Sequence, residues 1–94
     1  MNNKKYIYEI REIDAWADPD AGWTWNTSYL VGEMTTNAEN VKRAFVRFLN
    51  KRGICFKLNR TIIEDCWDII EIQDRKTREP LYAAIFKERI ESKQ

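Results

Sequence analysis

Residues 36–53 read TNAENVKRAFVRFLNKRG, and this stretch decides the fold. Val41, Ala44, Phe45, Phe48 and Leu49 recur at i, i+3, i+4, i+7 and i+8, which places them on one stripe of a helix. Thr36-Asn37-Ala38-Glu39 matches a capping box, in which the hydroxyl and the carboxylate each satisfy a free backbone N–H. Lys51 and Arg52 suit the negative end of the helix dipole, and Gly53 supplies a C-terminal stop. The spacing predicts a helix over Asn37–Arg52. A single helix with a single apolar stripe needs one partner surface, and the flanking sequence supplies it as strands.

Upstream, Tyr6, Tyr8 and Ile10 alternate with Ile7, Glu9 and Arg11, a period-two pattern that predicts a strand from Tyr6 to Asp14. Asp18-Pro19-Asp20-Ala21-Gly22 reads as a turn. Trp23 to Met34 predicts a second strand, with Leu30 and Met34 inward and Gly32 between them. The two would form a hairpin joined by an acidic loop from Asp14 to Gly22. Downstream, Ile54, Phe56 and Leu58 predict a third strand, Thr61–Glu64 a short return, Trp67–Gln73 another strand and Leu81–Lys87 the last. Ile70 and Ile72 share one face of their strand. The predicted class is α+β: an antiparallel meander with one helix on one face, in the order β-β-α-β-(β)-β-β. One domain fills residues 1–94, with a charged tail at 88–94 expected to fray.

Composition bounds the rest. The chain has 94 residues, 44% hydrophobic and 33% charged, with 3 Gly and 2 Pro, enough apolar surface to offset the entropy of ordering. Its start runs directly into the alternating strand, and no apolar run approaches the roughly 18 residues of a membrane span. Cys55 and Cys66 are too few for a disulfide framework or a four-ligand zinc site. The expected compartment is the cytoplasm, with no membrane association and no cofactor.

Net charge is +1, yet its distribution is uneven. Residues 9–41 carry seven acids against one base, whereas Lys42, Arg43, Arg47, Lys51, Arg52, Lys57 and Arg60 follow with no acid between residues 40 and 63. Arg43, Arg47 and Lys51 stack along one helix side at i, i+4 and i+8. With Lys42, Lys57 and Arg60 they form a candidate site for nucleic acid or an acidic partner. The alternative is a solvated helix face.

A second candidate is aromatic. Trp23 and Trp25 project from one strand face, and Trp16 lies across the hairpin. These rings offer a stacking platform, a partner anchor or a homodimer face; the alternative is a minor second core. Asp14, Asp18 and Asp20 lack the spacing of a calcium loop, so no metal is expected. The chain has no His, no glycine-rich phosphate loop and no nucleophile elbow around Ser28 or Ser92, and a pair such as Glu64 with Asp68 is not set apart from ordinary carboxylates. Catalysis is not expected.

Gly22-Trp23-Thr24-Trp25-Asn26, the helix, and Asp74-Arg75-Lys76-Thr77 before the last strand together resemble small open reading frames of phages and conjugative elements of Gram-positive gut bacteria. The resemblance covers most of the chain and brings no functional residues with it. It implies an accessory role, such as binding nucleic acid or blocking a host enzyme that handles it. The leading expectation is therefore a binding module acting through the basic helix face. The alternative is an assembly protein that dimerises through the tryptophans.

Overall fold

The computed structural model describes residues 3–54, 60–66 and 68–92. Five strands, β1 (Asn3–Asp18), β2 (Gly22–Thr36), β3 (Thr61–Cys66), β4 (Ile69–Asp74) and β5 (Pro80–Ser92), form one antiparallel sheet in the order β2-β1-β5-β4-β3. The single α-helix among the described residues, α1 (Val41–Lys51), follows a 3-10 turn at Ala38–Asn40. The α+β class with one helix and an antiparallel sheet is thus observed. The connectivity is a hairpin and a meander stitched together by β1 and β5, rather than one continuous meander. Strand 54–58 of the sequence reading lies outside the described residues apart from Ile54, as does Trp67.

The helix buries Val41, Phe45 and Leu49 against Tyr8, Ile10, Met34, Ile70, Ile72 and Ala84. Each of these sheet residues sits in register with another on the same face: Tyr8 opposite Met34 and Phe86, Ile10 opposite Ala84, Ile70 opposite Ala84. Phe86 closes the edge of this core with T-shaped contacts to Tyr6 and Tyr8. Burial raises the Tyr8 hydroxyl above its ordinary range, helped by the nearby Asp65 charge.

Helix termination follows the sequence. Gly53 has φ of 74°, its N–H donates to the Asn50 carbonyl and the Ile54 N–H donates to that of Leu49, the paired bonds of a Schellman stop. The start differs from expectation. Thr36 is still in β2, paired with Tyr6, so its backbone is not free to cap; its hydroxyl donates to the Asn37 carbonyl, and neither Asn37 nor Asn40 makes a side-chain cap. The capping box is not formed, and the first turn winds as 3-10.

Three other expectations need correction. The hairpin turn is confined to 19–21, because β1 continues to Asp18, whose carboxylate caps the Asp20 and Ala21 N–H groups; Asp14 is a strand residue opposite Asn26. Residues 88–92, expected as a tail, continue β5 and pair with Asn3–Ile7 of β1. Leu30 is 46% exposed rather than inward. Between Gly32 and Thr27 the register slips twice, and each slip adds a residue to β2 relative to β1. A bulge breaks the period-two rule, so Val31 packs toward the core and Leu30 turns away.

Candidate basic groove and tryptophan clasp

Helix α1 lies beside the outermost strand, and the two enclose a groove of about 440 Å³. One wall is the helix side bearing Arg43, Arg47 and Lys51; the other is Glu33–Thr36 of β2, with Ala44, Phe48 and Met34 between them. All four consecutive strand residues line it. Side chains of a strand alternate between faces, so the groove must be open to the main-chain edge of β2 itself. β2 pairs only with β1 among the described strands, which leaves that edge unpaired.

The electrostatics of the groove are one-sided. Arg43, Arg47 and Lys51 are exposed, and none forms an ion pair among the described residues. Glu33 precedes Met34, whose side chain enters the helix-side core, so the Glu33 carboxylate turns to the opposite face, where Lys87 Nζ holds it at 2.6 Å. That hydrogen bond, with the attraction of the charge, raises the Lys87 pKa. Arg52 is occupied differently: its guanidinium covers the Phe48 ring at 4.2 Å and its Nε–H donates to the Val31 carbonyl at 3.4 Å. It ties the helix end to the bulge. Gly32 is required there, since a Cβ would lie 3.0 Å from Phe48 Cζ and the residue has φ of 154°.

The predicted cationic site is therefore brought together only in part. Arg43, Arg47 and Lys51 share the groove. Lys42 turns the other way and pairs with Asp65 of β3 at 3.4 Å. Arg60 lines a separate pocket with Asp74, Arg75 and Lys76, a second basic cluster, and Lys57 lies outside the described residues. In that cluster the Asp74 carboxylate accepts from the Thr77 and Lys76 N–H groups, which holds its pKa below the ordinary value. The sequence reading missed the strand wall, because an open edge is a property of sheet order and has no local signature.

The tryptophans divide as well. Trp25 is opposite Ala15 and Trp23 opposite Ala17, whereas Trp16 is opposite Thr24; cross-strand partners share a face, so Trp16 points away from the other two. The indole N–H of Trp25 donates to Glu71 of β4 at 3.0 Å, and that of Trp23 to the Thr77 carbonyl at 2.8 Å. β2 and β4 are three strands apart, about 14 Å in a flat sheet, beyond the reach of these side chains. The hairpin must therefore curl over the face opposite the helix. The two bulges lie where β1 leaves β5, at Glu12, and bulges bend and twist a ribbon at such a place. Beneath the arch Ile13 is 7% exposed and Ala83 fully buried, both outside the helix-side core. Trp23 and Trp25 thus close a second small core, while Trp16 is 44% exposed.

No helix among the described residues is long and apolar enough to cross a membrane. Comparison with family models, curated proteins and solved structures finds no match.

Proposed function

We propose that this protein is a non-catalytic cytoplasmic binding module that engages an anionic partner, nucleic acid or a protein that handles it, through Arg43, Arg47 and Lys51. The observation that carries the reading is the set of three exposed cations along one groove, none of them in an ion pair among the described residues. Cations in register along a recess attract a polyanion and release its counterions on contact. An accessory role in a phage or mobile element, as the resemblance implies, suits such a module.

The test is a salt series of binding to labelled single- and double-stranded DNA and RNA and to polyglutamate, with Arg43→Glu/Arg47→Glu beside the wild type. Affinity that falls steeply with salt and disappears in the double variant is expected. No binding to any of these polyanions at low salt overturns the reading.

Self-association is a second reading, favoured by the exposed Trp16, Tyr29 and Leu30 on the hairpin. Its mark is a mass that rises with concentration, is indifferent to salt, and is restored to the monomer by Trp16→Ser.

A further inference from the structure

We infer that the groove takes an extended acidic peptide segment, which adds to the sheet as a sixth strand beside β2 with alternate carboxylates directed at the helix. The inference rests on the anionic-partner reading and names the partner as a protein rather than a nucleic acid.

The edge of β2 carries the argument. Four consecutive residues, Glu33 to Thr36, line the groove, so it is walled by strand backbone with outward N–H and C=O groups. Among the described residues no strand pairs with that edge. An edge of this kind is complemented fully by another polypeptide in extended form, which supplies donors and acceptors at the same repeat. A phosphodiester chain offers acceptors only, and leaves the outward carbonyls without partners.

The helix sets the side-chain requirement. Arg43, Arg47 and Lys51 succeed one another four residues apart, about 6 Å of helix rise each. On an extended strand, side chains of one face recur every second residue, about 6.7 Å. The two repeats nearly match over three positions. Glu33 to Thr36 spans about 10 Å and Arg43 to Lys51 about 12 Å, so wall and cation row are of similar length. Acids at i, i+2 and i+4 of the incoming strand would each meet one cation. The same strand's opposite face looks to solvent and accepts polar residues. Ala44, Phe48 and Met34 in the groove give its inner face some apolar contact.

Charge alone does not produce this pattern, which is what makes it testable. A fluorescein-labelled peptide alternating Glu with Thr is titrated against the full chain at low salt. Three comparators accompany it: an isomer with the glutamates contiguous, an alternating peptide N-methylated at every second residue, and oligo-dT of equal charge. The alternating peptide should bind about tenfold tighter than its contiguous isomer. One N-methylation register should abolish binding while the other leaves it, since only alternate amides face β2. Arg43→Glu/Arg47→Glu, with helix content checked by circular dichroism, should lose it as well. Equal binding of both isomers, or of both N-methylated registers, overturns strand addition. Oligo-dT binding without any peptide binding overturns the peptide partner and leaves the anionic groove standing. Failure of every ligand removes both readings. A peptide excluded because the protein is already dimeric, shown by its mass, would assign the edge to a second copy and also overturn the inference.

Discussion

The sheet is closed on its two faces by different means. On one, a helix lays a continuous apolar stripe, and Phe45, Leu49, Ile10 and Ile72 are wholly buried. On the other, the chain's own hairpin curls back, and two indoles anchor it through Trp25 to Glu71 and Trp23 to the Thr77 carbonyl. The first closure is apolar packing over a broad area. The second is a small core around Ile13 and Ala83 held by directed hydrogen bonds. A domain of this size supports one large core, and the difference shows how a second face is closed without a second helix: large rings supply area and their N–H groups fix position.

The comparison breaks most visibly at the helix. Phe45→Ala should cost about 3–5 kcal/mol, because a fully buried ring leaves a cavity that the sheet cannot fill; a denaturant midpoint far below wild type checks it. A result near zero would mean that the helix does not close the core. On the other face, Trp25→Ala should cost about 2 kcal/mol and Trp25→Phe about 1 kcal/mol, the share of the hydrogen bond to Glu71. A double-mutant cycle of Trp25→Phe with Glu71→Ala, which removes the acceptor, separates the bond from the ring. Additive losses would show that the clasp is area alone.

The smallest effect belongs to the ion pair of Lys87 with Glu33. Lys87 has its pKa raised by Glu33, so the pair stabilises the fold below the ordinary lysine range near 10.5 and loses that contribution as pH rises through the raised value. Lys87→Met should flatten the alkaline end of the stability profile. It should leave polyanion binding unchanged, because the Glu33 carboxylate lies on the sheet face opposite the groove. A clear change in binding would place Glu33 within the site's field instead.

Legibility followed the same division. The helix stripe, its glycine stop, the turn at 18–22 and the buried pair Ile70 and Ile72 could be read from the sequence, because each depends on neighbours a few residues away. The slip at Gly32 could not, since a bulge is set by the partner strand and reverses the faces of the residues that follow until the second slip restores them; Leu30 lies in that interval. The capping box failed because β2 held Thr36 in a ladder with Tyr6. Of the cationic row, Arg43, Arg47 and Lys51 were legible from helical spacing, whereas the diversion of Lys42 to Asp65 depended on where β3 lies. The role of Trp23 and Trp25 required the strand order, as their partners are 54 and 46 residues away.

Groove and clasp are tested together by an NMR titration of the labelled protein with polyglutamate and, separately, with oligo-dT at low salt. The account predicts that amides of Glu33–Thr36 and Arg43–Lys51 move for at least one ligand, while the indole N–H signals of Trp23 and Trp25 stay fixed. Shifts confined to those two indoles, with the helix unmoved, would contradict it and make the face opposite the helix the binding surface.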